Sequence, residues 1–262
     1  MNIHEPSGAP AATPTSAPAP TRRVRHETKR RLLTVSAIQR LSPAMLRIVF
    51  AGDDLDGFTS LGADDHVKIF LPGEGEAERR DYTPRRYDPR RRELTIDFAV
   101  HDAGPATAWA LAARVGDELV IGGPRGSLVV GEAVKRFLLI GDETALPAIG
   151  RRIEEAAAGA AITSLVAVPA AADEQTFETL AALDTRWVHR PLERADDPAA
   201  LLGALQDVTI GPDCFVWIAA EASVVRALRQ VVLEERGHPK GWFKAAGYWV
   251  RGKADTTEKF DD

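Results

Sequence analysis

The feature that most constrains this chain is a change of pattern at Gly131. Before it, "RLLTVSAIQRL", "MLRIVFAG", "HVKIFLPG", "ELTIDFAVH" and "DELVIGGPRG" are short alternating or continuous apolar runs, each closing near Gly, Pro or Asp. Strands of that length and spacing predict a small antiparallel barrel. One stretch, "GPATAWALAARVG", interrupts them with apolar residues at Ala106, Trp109, Ala110 and Ala113, the spacing of a helix with one buried face. After Gly131 wholly apolar strands alternate with helical segments: "RFLLIGD" precedes "TALPAIGRRIEEAAAG", "AITSLVAVP" precedes "ADEQTFETLAAL", "RWVHRPL" follows, and "CFVWIAAE" precedes "ASVVRALRQVVLEERG". Strands buried on both faces and joined by helices predict a doubly wound parallel sheet of nucleotide-binding type.

The expected organisation is an all-β domain followed by an α/β domain. Residues 1–22 form a tail, 23–131 a six-stranded-type barrel, 132–254 the parallel α/β domain and 255–262 a flexible end. The opening "MNIHEPSGAPAATPTSAPAP" is too rich in Pro, Ala, Ser and Thr to bury apolar surface. It lacks the basic start and apolar core of a secretion signal, and no run elsewhere is long enough to span a bilayer, so a soluble cytoplasmic protein is expected. The single cysteine, Cys214, lies in the apolar run "CFVWIA", where a buried, inert thiol is expected.

"RRDYTPRRYD", residues 79–88, sets four arginines around two tyrosines and a threonine. A nucleic-acid patch, a solvated turn and a flavin site would each produce it. The formal net charge is −5, so the global field does not favour nucleic acid or anionic lipid, and the basic site is local. Two further stretches suit an anion. "HDAGPATAW" places Gly104 and Pro105 at a helix start, where unpaired N–H groups and the helix dipole favour a pyrophosphate. "GGPRGS" adds glycines that permit close backbone approach around Arg125. Together the three argue for a large phosphorylated cofactor. In a parallel sheet the ligand crevice lies beyond the carboxyl ends of the strands, which singles out "GDETALPA", "VPAAADE" and "AAEAS". With no cysteine cluster, no H-E-x-x-H and six scattered histidines, no protein-bound metal is expected.

In order, "RDYTPR", "DFAVHDAGPATAWA", "GPRGS", "GDETALPAI" and "GYWVRG" resemble the motifs of siderophore-interacting proteins, flavin-dependent ferric-siderophore reductases of the ferredoxin-reductase superfamily. The likeness runs from about Val24 to Lys253. It implies FAD in the barrel domain, with Tyr82 stacked on the isoalloxazine, Thr83 hydrogen-bonded near its N5 and Arg80 paired with the phosphates, Arg85 belonging to the same motif. Asp97 and Phe98 sit on the adjoining strand, where alternation lets one of them face the flavin, and His101 would touch the cofactor or hold its loop. Gly104, Pro105 and Ala106 at the helix start and Gly123, Pro124, Arg125, Gly126 and Ser127 in the glycine loop complete the implied FAD set.

The resemblance further implies that Asp142, Glu143, Thr144, Ala145 and Glu221 border a nicotinamide nucleotide, NADH or NADPH. An acid after "SLVAVP", Asp173 or Glu174, would accept a ribose 2′-hydroxyl and tilts the expectation to NADH. Relatives read Ala-Gly-Glu where this chain has Ala219-Ala220-Glu221, which adds a methyl group where backbone would approach a cofactor. The implied substrate is a ferric siderophore that arrives already chelated; for its anionic forms Lys68, Lys240, Lys244 and Arg251 are candidate contacts, with Arg125 shared. A flavin links a two-electron donor to a one-electron acceptor, and siderophore oxygens hold Fe(III) more strongly than Fe(II), so reduction releases iron. The alternatives are a general flavin or ferredoxin-type reductase, with ferredoxin as partner, and a siderophore carrier whose FAD is structural.

Overall fold

A computed structural model of the chain describes residues 20–73, 78–100, 104–253 and 256–260. The first half forms strands β1 (Thr21–Arg25), β2 (Arg30–Ser42), β3 (Met45–Ala51), β4 (Val67–Phe70), β5 (Arg79–Tyr82), β6 (Arg86–Asp88) and β7 (Glu93–Ala99), then helix α1 (Pro105–Ala112) and strands β8 (Glu118–Gly122) and β9 (Gly126–Val130). The period-2 pattern read from the sequence is what orients them. Leu33 and Val35 on β2, Ile48 and Phe50 on β3, and Leu94, Ile96 and Phe98 on β7 all point inward and are essentially inaccessible to solvent.

Seven strands form one antiparallel sheet in the order β5-β4-β8-β2-β3-β7-β6. Its two edge strands are separated in sequence only by Thr83–Arg85. Flat, seven strands would hold those edges about 29 Å apart, at about 4.8 Å per spacing. The connecting chain reaches about 14 Å at most. The sheet therefore has to curl into a half-barrel, its two edges drawn together by the segment that carries the Tyr-Thr-Pro-Arg motif. The expected six strands become seven plus a ribbon, because β1 pairs with β9, Thr21 opposite Val130 and Arg22 opposite Val129. The ordered domain thus begins inside the expected tail.

The second half forms β10 (Arg136–Asp142), α2 (Leu146–Glu154), β11 (Ala161–Val168), β12 (Ala182–His189), α3 (Ala199–Gln206), β13 (Cys214–Glu221), α4 (Ala222–Arg229), β14 (Phe243–Trp249) and β15 (Glu258–Lys259). The order is β12-β11-β10-β13-β14-β15, parallel except for β15, so the expected doubly wound sheet is present. Alternate residues of β10 and β13 serve different cores. Leu138, Ile140, Val216 and Ile218 pack with α3 and α4, while Phe137, Leu139, Phe215 and Trp217 pack with α2 and with Met45 of the barrel.

Two segments depart from expectation. "ADEQTFETLAAL" forms only a short 3-10 turn at Ala171–Asp173 before β12. Tertiary contacts hold the rest extended over α2: Asp173 accepts the Ala44 N–H at 2.8 Å, Phe177 stacks near Trp187 at 6.5 Å, and the Thr179 hydroxyl donates to the Ile153 carbonyl at 2.6 Å. Within the end expected to be flexible, β15 pairs with Ala246 and Gly247 of β14.

Gly141 lets α2 dock on β10. A Cβ there would lie 2.6 Å from the Ala145 Cβ and 2.7 Å from the Ala219 carbonyl. We expect Gly141→Ala to destabilise the fold by about 1–3 kcal/mol through overpacking. A lowered urea midpoint at unchanged slope is the expected reading.

Candidate functional site

Successive crossovers leave β10 in opposite directions, so the switch point of the sheet lies between the ends of β10 and β13. The Asp142 carboxylate occupies it. One oxygen accepts the Thr144 N–H at 2.9 Å and the Thr144 hydroxyl at 2.5 Å; the other accepts the Glu221 N–H and the Trp249 indole N–H, both at 3.0 Å. Glu221 caps α4, accepting from the N–H groups of Ser223 at 2.5 Å and Val224 at 3.4 Å, and takes the Arg251 N–H at 3.2 Å. Glu143 faces away, 2.8 Å from the buried Arg190. Burial, and then the neighbouring Asp142, push the Glu143 carboxyl up to about 7 in spite of that arginine. These acids tie strand ends together; of the loop's residues, Thr144 and Pro147 reach the open cleft beside it.

That cleft, about 1540 Å³, runs along the seam between barrel and parallel sheet. It exceeds the roughly 300–1,000 Å³ of a single small-ligand site. On the barrel side stand Arg80, Tyr82, Thr83 and the start of α1. The Tyr82 ring is braced from behind by Phe98, with centroids 4.4 Å apart, and burial pushes its hydroxyl above the ordinary range. Thr83 and Tyr248 line the same cleft, one from each domain. Helix α1 opens on the cleft with Gly104 as N-cap, Pro105 at its start and no side-chain cap among the described residues, leaving first-turn N–H groups for an anion. The sheet side supplies Phe215, Tyr248 and Trp249. Among the described residues the lining holds ten Lys and Arg against four Asp and Glu, a basic surface in an acidic chain.

Residues 134–252 match the siderophore-interacting protein model, and two overlapping segments, 34–79 and 72–128, match the siderophore-interacting FAD-binding domain. The NADPH-dependent ferric-chelate reductase of Escherichia coli (strain K12) is 39% identical over 250 residues, covering 87% of this chain and 95% of that protein. The chain belongs to the siderophore-interacting protein family. Ferric vibriobactin reductase of Vibrio cholerae is 28% identical over 244 residues, 85% of this chain and 90% of its own. The crystal structure of a siderophore utilization protein from T. fusca superposes with a TM-score of 0.85 at 36% identity, covering 90% and 98% of the two chains.

An FAD-binding domain of this family requires a cradle for a dinucleotide with a tricyclic ring, and the seam fits it: an open basic cleft, an uncapped helix start and a braced tyrosine lie together. The structure gathers Arg80, Tyr82, Thr83, Asp97, Gly104, Pro105, Ala106 and Arg125 on the cleft. His101 lies outside the described residues. Phe98 faces the barrel core, leaving Asp97 as the member of that pair on the cleft, where Arg47 grips it at 2.7 Å. Arg85 is not on the cleft. It is buried with both terminal nitrogens on Glu154 of α2, at 2.8 and 2.5 Å, so it joins the domains.

Gly123 and Pro124 shape the turn behind Arg125, with Gly123 at φ 95°, a conformation that favours glycine. Gly126 pairs with Arg25, and the Ser127 hydroxyl is bound to Asp65 at 2.6 Å and His26 at 2.7 Å. Ala145 is fully buried in the core beneath α2. The carboxylates of Asp142, Glu143 and Glu221 are engaged by protein donors. The added methyl of Ala220 enters the apolar core instead of the cleft.

Of the basic candidates, Lys68 and Lys240 line the cleft, Lys68 paired with Asp81 at 2.8 Å. Lys244 lines it too but is tied to Asp64, as is the Trp217 indole at 3.0 Å. Burial pushes the Asp64 carboxyl up, and Lys244, Trp217 and Arg152 outweigh that and hold it below its ordinary value. Arg251 turns away to Asp196 and the Glu193 carbonyl. Asp173 and Glu174 are engaged by Ala44 and His189, which removes the basis for preferring NADH. Beyond the motif "GYWVRG", the sequence did not single out Tyr248 and Trp249 as lining residues; their place at the carboxyl end of a parallel strand was the available signal.

Because the Glu143 carboxyl is raised to about 7 in the fold, the native state holds its proton where the unfolded chain releases it. Its contribution to stability is largest below the unfolded pKa and falls as pH rises towards 7. We expect the stability of wild type relative to Glu143→Gln to decline between about pH 5 and 7.5. Urea melts across that range should show converging or crossing midpoints; a constant gap would contradict the assignment.

Proposed function

We propose that this protein passes reducing equivalents from NADPH through FAD to a ferric siderophore and releases the iron as Fe(II). The observation that carries the reading is the seam cleft, bordered on one side by the flavin motif and on the other by the loop after β10. Family membership and the NADPH-dependent ferric-chelate reductase of Escherichia coli support it. When bound, FAD supplies the conversion between a two-electron donor and one-electron steps at iron.

The chain's own residues bind and orient. Arg80, Arg125 and the open end of α1 hold the pyrophosphate, and Tyr82, backed by Phe98, supports the ring. Thr83 presents a hydroxyl at the same wall, and Thr144 and Pro147 border the reductant. Lys240 and the other basic groups of the lining draw in an anionic chelate. No protein acid or base is required for electron transfer, and none is assigned. No helix among the described residues is long and apolar enough to cross a membrane. We place the reaction in the cytoplasm, where the buried Cys214, its thiol pushed up to about 11 by burial, stays inert.

The test is anaerobic. The purified protein should be yellow, release FAD on denaturation, bleach on addition of NADPH and regain its colour with a ferric siderophore. A flavin that NADPH reduces but the iron complex does not reoxidise would exclude the reductase reading. Arg80→Ala should weaken FAD binding by about 10- to 100-fold through loss of a charge-assisted contact. Equilibrium titration of the apoprotein with FAD measures it.

A further inference from the structure

We infer that Arg151 of α2, seconded by Glu154, is a positioning residue for the flavin-facing loops of the barrel, although neither side chain lines the cleft. The inference rests on the FAD reading above. The Arg151 guanidinium crosses the domain boundary and is buried. One terminal nitrogen donates to the Pro84 carbonyl at 2.9 Å and to the Ser60 hydroxyl at 2.7 Å; the other donates to the Ser60 carbonyl at 2.9 Å; Nε is held by Glu155 at 2.7 Å. Pro84 is the residue after Thr83, so the first contact fixes the backbone of the Tyr-Thr motif.

The second contact reaches a different loop. The Ser60 hydroxyl donates to Asp65 at 2.9 Å, and the same Asp65 oxygen accepts from Ser127 at 2.6 Å, in the glycine loop that carries Arg125. One guanidinium from the α/β domain thus sets the spacing between two flavin-facing segments that lie 43 positions apart in the barrel, Pro84 and Ser127. Glu154, one turn further along α2, receives both terminal nitrogens of Arg85 and one of Arg86 at 3.0 Å. Gly150 completes the socket, for a Cβ there would stand 3.0 Å from the Arg85 guanidinium and 2.7 Å from the Phe177 ring. The same helix begins beside Thr144 and Pro147, on the cleft itself. A bidentate fork is needed to address two oxygens of one loop and one of another, which an ammonium does not provide.

The experiment titrates folded apoprotein with FAD and follows quenching of flavin fluorescence together with the visible circular dichroism of the bound flavin. Wild type is measured first; failure to bind FAD there would refute the functional reading and, with it, the inference, before any variant is compared. Given wild-type binding, Arg151→Ala should raise the FAD dissociation constant about tenfold or more and alter the flavin dichroism, and Arg151→Lys should recover only part of the loss. If Arg151 merely tied the domains together, Arg151→Ala would lower the melting temperature and leave the FAD constant of the folded protein unchanged, which overturns the inference. Should Arg151→Ala fail to fold, Ser60→Ala decides: it keeps the guanidinium and its bonds to the Pro84 and Ser60 carbonyls, and removes the hydroxyl that relays Arg151 to Asp65 and Ser127. A rise of about fivefold supports the inference, and an unchanged constant overturns it.

Discussion

The three-residue crossing Thr83–Arg85 is the constraint on which the rest depends. It joins the two edges of the barrel sheet, and it delivers Arg85 into a buried two-pronged contact with Glu154 of the other domain. Curling and docking are therefore coupled: a sheet whose edges lay far apart would not present this guanidinium to α2. With Arg85 buried and Glu154 partly exposed, the pair matters chiefly through the cost of leaving the buried guanidinium alone, so it specifies a relative placement of the domains more than it stabilises them. The cleft is the space which that placement leaves.

The acids at the carboxyl ends of the parallel strands show how the same site is kept rigid. In an open sheet the switch point is where a ligand enters, but here Asp142 spends its oxygens on Thr144, Glu221 and Trp249. Those donors come from the loop after β10, the end of β13 and the end of β14, so a single carboxylate fixes three strand ends. The open surface is displaced sideways, toward Thr144, Pro147 and the barrel. A crevice filled by its own hydrogen bonds and a cleft beside it are two outcomes of one arrangement.

What was legible in the sequence was local. Alternation in β2, β3 and β7 and continuous apolarity in β10, β11 and β13 depend only on neighbouring residues, and the architecture followed from them. The grouping of Arg80, Tyr82 and Thr83 was legible too, since they are close together in the chain and share one wall of the cleft. Partnerships were not. Nothing near Arg85 in sequence announces Glu154, and nothing near Asp173 announces the Ala44 N–H that holds it and takes the place of a helix. Glu221, singled out because its loop follows a strand, is also the N-cap of α4, accepting the N–H groups two and three residues on. The uniformly apolar run of α3, interrupted by Gly203, gave no one-sided pattern to identify it.

Charge distribution carries the last step. A chain of net charge −5 would repel an anionic chelate if its charges were spread evenly. They are not: acids such as Asp142, Glu143 and Glu221 are turned inward onto protein donors, while Lys68, Arg79, Lys240 and Lys253 stand on the cleft. Buried acids satisfied by local donors project little field to solvent, whereas basic groups along low-dielectric walls are focused by them. The inward turn of the acids is thus part of how the cleft becomes attractive to an anion, and the interactions that rigidify the sheet also set the sign of the potential at its mouth.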